Sequence, residues 1–370
     1  MILGVSAEQE ELRASVRRFL ADRAPISRVR ELMDGGETDW AVWEQAGTQL
    51  GLQGLAIPES YGGAGFSFAE QAIVLEEFGA ALYDGPYLAS AVLAATALLA
   101  GSDEGARREL LPGIASGQTV ATLAFTEDGG SWDPAAIRLS AVKDGEAWRL
   151  DGHKSFVLDG ATAGLILVAA ATDAGLSLFA VAAEAAGLGR AALPALDQTR
   201  QLARLEFAGV TGRLIGSPGD GAAALDRALD VAAVALAAEQ LGGAQRALDM
   251  AVEYAKTRRQ FDRPIGSFQA IKHRCADLLL EVESLRSAVG YAAAAVAEGS
   301  AEIPVLASLV KAYASETYFH VAAENIQIHG GIGFTWEHDA HLYFKRAKSS
   351  ELLLGDPTYH RELLAQRIGL

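Results

Sequence analysis

Five cations crowd one joint of an otherwise acidic chain: Arg258, Arg259, Arg263, Lys272 and Arg274 lie around Pro264-Ile265-Gly266. Such a cluster reads in two ways. It is a solvated basic face, or it is an anion site in which Arg258 grips a pyrophosphate through two parallel hydrogen bonds while Phe261 packs against a ring. Further on, ENIQIHGGIGFTWEH (residues 324–338) stops a helical pattern at Gly330-Gly331. That pair is an ordinary C-cap, or it lets a ligand approach bare backbone, with Gln327 offering its amide one turn earlier. A third stretch, SSELLLGDPTYH (349–360), breaks a helix at Gly355-Asp356-Pro357. The break is a plain turn between two terminal helices, or a place where backbone and one side chain meet a ligand. His320, His329, His338 and His341 lack a paired-ligand spacing with carboxylates and predict no metal site. Ser131, Asp133 and His153 are close in sequence, but no nucleophile elbow surrounds the serine.

The elements that must position these residues follow from the periodicity. Ser6-x-x-Gln9 is a capping-box pattern, followed by apolar Leu12, Val16, Phe19 and Leu20 at helical spacing. Helical texture recurs over 40–51, 68–82 and 87–100. From about residue 119, short apolar or alternating runs separated by Lys143-Asp144-Gly145 and Asp151-Gly152 predict antiparallel strands. Helical texture returns near 216 and fills 222–256, 266–297, 302–329 and 338–354. The expected organisation is α+β: a helical segment over 1–118, a β segment over 119–215 and a helical bundle over 216–370.

The totals narrow the function classes. Half of the 370 residues are hydrophobic, with few aromatics, which suits packed helices. A net charge of −16 argues against nucleic acid or an anionic membrane as a general partner. Cys275 is the sole cysteine, so no disulfide framework or thiolate metal site is expected. The first twenty residues lack a signal-peptide pattern and no apolar run convinces as a membrane span, which predicts a soluble cytoplasmic protein.

In their order along the chain, LAFTEDGGSWD, GHKSFVLDG, YAKTRRQFDRPIGSFQAI and ENIQIHGGIGFTWEH resemble the acyl-CoA dehydrogenase family from about residue 6 to 370. The resemblance implies an N-terminal helical domain, a middle β domain and a C-terminal four-helix bundle. It also implies FAD, an acyl-CoA substrate losing its α proton to a glutamate and its β hydrogen to flavin N5, and electron-transferring flavoprotein as acceptor. Carried over, the family's R-x-x-F and Q-I-x-G-G motifs fall on Arg258, Phe261, Gln327, Gly330 and Gly331, which in this family grip the ADP half of a neighbouring subunit's FAD.

The flavin-ring half departs from the pattern. The T-E-x-x-x-G-S motif begins at Thr126-Glu127, but Trp132 stands at its serine. In K-x-W-x-T-N, Phe156 is a flat substitute for tryptophan, which leaves it and Thr126 as candidate cofactor contacts, but Leu158 replaces the threonine that would hydrogen-bond flavin N5. The usual base position holds Leu354, and the alternative base positions on an earlier helix are Ala232 and Ala233. Glu351 and Asp356 remain as substitutes on the same loop, while Glu239 lies two turns from Ala232. Loss of the ring half beside retention of the ADP half resembles the glutamate-lacking subunit of actinobacterial α2β2 steroid side-chain dehydrogenases, which works with a homologous catalytic subunit. The alternatives are a self-sufficient homotetramer using Glu351 or Asp356, and a non-enzymatic scaffold of the same fold.

Overall fold

Ser6 opens the first helix with the predicted reciprocal cap: its hydroxyl accepts the Gln9 N–H at 3.2 Å and its own N–H donates to Gln9 Oε1 at 3.0 Å. The computed structural model describes residues 6–35 and 38–370. Among these, helices α1 (Ala7–Arg23), α2 (Ile26–Met33), α3 (Trp40–Leu50) and α4 (Phe68–Ala81) come first. A π-helical run, Leu88–Ala94, then leads into α5 (Ala95–Ala100), and α6 (Glu104–Ala115) follows. The strands are β1 (Ala121–Ala124), β2 (Ser140–Asp144), β3 (Ala147–Leu158), β4 (Leu165–Thr172), β5 (Gly175–Ala182), β6 (Leu188–Leu193) and β7 (Leu202–Ile215). Then come α7 (Gly221–Thr257), the two-residue strands β8 (Arg259–Gln260) and β9 (Arg263–Pro264), α8 (Gln269–Glu298), α9 (Ile303–His329), α10 (Ala340–Leu352) and α11 (Pro357–Arg367).

The chain packs as two compact units. The helical unit contains the described residues of Met1–Gly35 together with Phe68–Tyr83 and Ala233–Leu370. Small residues set its packing. A Cβ at Gly79 would lie 1.8 Å from the Glu239 carbonyl oxygen, and one at Gly242 would lie 1.7 Å from that of Glu76, so α4 and α7 cross with their backbones touching. Within α9, apolar Val310, Ala314, Tyr318 and Val321 are buried, and so are Lys311, Ser315 and Asn325. Buried polar groups in such a helix need partners, and those of Lys311 prove central below. No helix of the described residues is long and apolar enough to cross a membrane.

The second unit, the described residues of Gly36–Ser67 with Asp84–Ala232, is built on a seven-stranded sheet in the order β1-β4-β2-β3-β7-β5. Pairing of β4 with β5 closes the path, and β6 adds to β7. The antiparallel texture holds for β2–β3, β3–β7, β4–β5, β5–β7 and β6–β7. The fully buried β1 instead lies parallel to β4, with Ala121 opposite Leu165. Asp151-Gly152, read from the sequence as a turn, lies inside β3. The register shifts there and Gly152 takes φ +134°, with its missing Cβ position 3.2 Å from Leu139 Cα. A glycine followed by alternating residues marks a bulge as readily as a turn, and the partner strand decides between them.

Candidate active site

The basic joint resolves into two exposed cations without a partner among the described residues, Arg258 and Lys272, and three committed ones. After α7 ends, the Arg258 N–H donates to the Tyr254 carbonyl at 2.8 Å, and the chain doubles back through β8 and β9. Phe261 and Asp262 form the two-residue turn, with φ of +51° and +63°. Such a turn favours Asn-Gly, and non-glycine residues there cost about 1–2 kcal/mol each. The strained conformation leaves the Phe261 ring 87% exposed. Arg263 stacks over Phe268 at 3.9 Å, Arg259 holds the Asp262 carbonyl, and Arg274 pairs with Glu324 at 2.9 Å. The Arg258 side chain is exposed and has no partner among the described residues.

Gly330 and Gly331 end α9 beside this joint, because the Tyr254 ring stacks on that of His329 with centroids 4.3 Å apart. Gly330 has φ +66°, and a Cβ on either glycine would meet nothing within 4 Å. Gln327, one turn earlier, is exposed. A free guanidinium, a projecting ring, an exposed amide and uncluttered backbone together fit the diphosphate half of a dinucleotide.

The corresponding strand site, in the other unit, is differently built. Thr126 Oγ1 donates to the Ser155 carbonyl at 2.6 Å, and Ser155 N–H donates to the Thr126 carbonyl at 2.9 Å. That hydroxyl is committed to backbone. Phe156 takes φ +57° at a register shift between Lys154 and Val157, which leaves its ring partly exposed while Val157 and Leu158 are buried. Trp132 lies against Phe125, centroids 5.8 Å apart. Beneath them Lys154 is fully buried and donates to the Phe125 carbonyl at 3.0 Å and Glu127 Oε1 at 2.9 Å. Burial pulls the Lys154 ammonium down to about 8 against the pull of Glu127. Burial also works against the charge of Glu127, but the Leu139 and Arg138 amides and Lys154 outweigh it and hold that carboxyl below its ordinary value.

The elbow between α10 and α11 keeps a strained shape without an acid at its apex. Leu354 takes φ +62° and is buried. A Cβ on Gly355 would lie 2.3 Å from the Tyr359 ring, so only glycine fits. Lys311 Nζ donates to the Gly355 carbonyl at 2.9 Å, the Glu351 carbonyl at 3.2 Å and Ser315 Oγ at 2.9 Å. His360 Nε2 lies 3.0 Å from the Leu354 carbonyl, which can only accept, so the ring donates. Burial first, then the neighbouring Lys311, push His360 down to about 4 and keep it neutral.

The remaining carboxylates near the elbow are occupied. Asp356 Oδ1 accepts the Tyr359 N–H at 2.8 Å as the N-cap of α11. Glu351 Oε1 pairs with Lys348 at 3.0 Å. Glu239 is held by buried Arg346 at 2.9 Å, and Ala232 and Ala233 are packed in the core. Sequence reasoning passed over Lys311, His360 and the Tyr254–His329 contact. The one available signal was a lysine in the apolar run PVLASLVKAYAS, with Ser315 one turn on along the same face.

Three family descriptions match the chain in succession: "Acyl-CoA dehydrogenase, N-terminal domain" over residues 6–118, the middle domain over 122–210 and the C-terminal domain over 219–369. The chain belongs to the acyl-CoA dehydrogenase family. Acyl-CoA dehydrogenase IpdE2 of Mycobacterium tuberculosis is 37% identical over 359 residues, spanning 96% of this chain and 95% of that protein. A solved variant of the Tcur3481-Tcur3483 steroid ACAD matches with a TM-score of 0.90 at 33% identity, covering 99% of this chain and 98% of that one. The ChsE4-ChsE5 complex from Mycobacterium tuberculosis matches with a TM-score of 0.91 at 31% identity, covering 100% and 99%.

Proposed function

We propose that this chain is the glutamate-lacking subunit of a heteromeric, FAD-dependent acyl-CoA dehydrogenase that desaturates a steroid-type CoA thioester. Its Arg258, Phe261, Gln327, Gly330 and Gly331 complete the FAD site of a homologous catalytic chain, and electron-transferring flavoprotein takes the electrons onward. The bound flavin would accept the hydride; the proton would leave to a base on the partner. The single observation that carries this reading is the elbow, where Lys311 and His360 hold a base-bearing shape around Leu354, which has no titratable group. Relatives support it: IpdE2 is an acyl-CoA dehydrogenase, one matched structure is a steroid ACAD, and another is a complex of ChsE4 with ChsE5. Thr126 and Phe156 then shape a wall and supply no hydroxyl to a flavin.

The test is to purify the chain alone and co-expressed with candidate homologous subunits, then measure flavin per chain and oxidation of steroid-CoA thioesters. Flavin and turnover are expected only in a mixed assembly. Full flavin occupancy and turnover by the chain alone would overturn the reading.

A further inference from the structure

We propose that His329 and His338 are positioning residues of the diphosphate-binding end: packed ring against ring, they fix the Gly330-Gly331 turn against the end of α7 that carries Arg258. The inference rests on the proposed flavin role of that end and goes beyond it, to the residues that shape it. Tyr254, His329 and His338 form a column of rings. The Tyr254 and His329 centroids are 4.3 Å apart at 29°, and those of His329 and His338 are 4.3 Å apart at 51°. The column begins at the residue whose carbonyl receives the Arg258 N–H and passes through the residue immediately before Gly330. The turn Gly330–Phe334 wraps back over it, since a Cβ on Gly333 would lie 2.8 Å from His329 Cβ.

Hydrogen bonds fix both tautomers. His329 Nδ1 lies 2.8 Å from the Asn325 carbonyl, which can only accept, so this nitrogen carries the proton. His338 Nδ1 accepts the Ala340 N–H at 3.1 Å and therefore carries none. Protonating His338 there would break its bond to Ala340. Protonating both rings would put two cations with ring centroids 4.3 Å apart. Among the described residues no group of histidines and carboxylates is arranged to hold a metal, so the rings are not ligands in waiting.

The charged surroundings are mixed. Arg30 from α2 reaches Asp339 and the Trp336 carbonyl, both at 2.7 Å, and Glu337 and Asp339 flank His338. From α10, His341 packs edge-on against Trp336 and Lys345 lies over that indole at 4.0 Å. From α7, the Tyr254 ring enters the column. Burial, followed by the effect of His338, holds His329 below its ordinary value despite the Asn325 carbonyl. Burial likewise lowers His338, with Asp339 opposing and Arg30 adding. The opened column takes up protons near the ordinary value of about 6.5, and the closed column only at lower pH. The column is therefore at full strength above about 6.5 and weakens as the pH falls below it.

The experiment uses the co-expressed heteromer. Flavin retained after desalting is measured by absorbance at pH 7.5 and 5.5, with assembly state checked by light scattering. Wild type is expected to retain between about twofold and tenfold less flavin at the lower pH, the scale of one or two ring contacts. His329→Ala should lose flavin at both values. The double variant His329→Phe with His338→Phe keeps aromatic rings of similar size that do not titrate. Having lost both ring hydrogen bonds, it should retain somewhat less flavin than wild type at pH 7.5, but no less at 5.5 than at 7.5. Wild-type retention by His329→Ala, or an unchanged acid loss in the double variant, would overturn the inference. Arg258→Ala separates the two levels: flavin loss there with none in His329→Ala rejects the column alone, whereas full retention in Arg258→Ala rejects the flavin role and the inference with it.

Discussion

Two ends of the helical unit use their polar side chains in opposite ways. Around Arg258 they are left outward: the guanidinium has no partner among the described residues, the Phe261 ring is 87% exposed and the space above Gly330 and Gly331 is open. Around Leu354 they are turned inward: Lys311, His360 and Asp356 all bond to backbone of the elbow. The strand site in the other unit behaves like the elbow, with Thr126 and Lys154 both donating to backbone carbonyls. Groups committed to backbone maintain a shape, whereas groups left free are available to a ligand. At the elbow and the strand site, substitutions of such committed groups should cost stability and leave flavin affinity alone, and substitution of the free Arg258 should do the reverse.

The hardest test is Lys311→Met. It strands the Gly355 and Glu351 carbonyls, each worth about 1–3 kcal/mol when unmade, while Ser315 keeps the Gln240 amide as a donor, so unfolding in urea should show a loss of about 3 kcal/mol. Flavin per folded heteromer should stay at the wild-type level. Loss of flavin without loss of stability would break the comparison. Next is Arg258→Ala, which removes a bidentate, charge-assisted pair from the proposed diphosphate site. The expected weakening of flavin binding is about 30- to 100-fold, or roughly 2–3 kcal/mol, measured by titrating FAD into the stripped complex. The melting temperature of the flavin-free complex should not move.

The elbow also makes a pH prediction. His360 is neutral in the fold at about 4, while an unfolded histidine titrates near 6.5. Its depressed value means that the unfolded chain binds more protons between these limits, so its contribution is complete above about 6.5 and declines as the pH falls towards 4. At pH 5 the loss is about 2 kcal/mol. His360→Gln should flatten that part of the calorimetric stability profile. A smaller effect is expected at Thr126→Val, which deletes one buried hydrogen bond and should cost about 1 kcal/mol with flavin content unchanged. Reduced flavin in this variant would show that the hydroxyl serves the ring after all.

Much of this arrangement was legible in the sequence, and its limits are physical. Local signals served well: the Ser6–Gln9 cap formed as read, and the breaks at Gly330-Gly331 and Gly355-Pro357 end helices where the glycines and proline stand. Short helices escaped because eight residues in α2 span barely two turns and α6 contains Pro112. Long-range partnerships escaped for a different reason. Lys311 meets carbonyls 40 and 44 residues away, and no periodicity announces which buried lysine will find them. Nor does any propensity place Leu354 or Phe261 at positive φ; surrounding contacts impose those conformations.

The smallest expected effect bears on the rival to the heteromer. Glu351 lies about one turn before the elbow apex, and its Oε2 is buried without a hydrogen-bond partner among the described residues. Lys348 holds the other oxygen at 3.0 Å and so fixes where the carboxylate sits. A base must stand within hydrogen-bond reach of its proton, and a displacement of about 1 Å already costs on the order of a hundredfold in rate. Glu351→Gln preserves the volume and removes the base. In the assembled enzyme it should leave the rate of flavin reduction by substrate within about twofold of wild type, measured by stopped-flow absorbance. A fall of about a hundredfold or more would move the chemistry onto this chain. The elbow would then be a working catalytic loop, and its inward-turned polar groups would support a base as well as a shape.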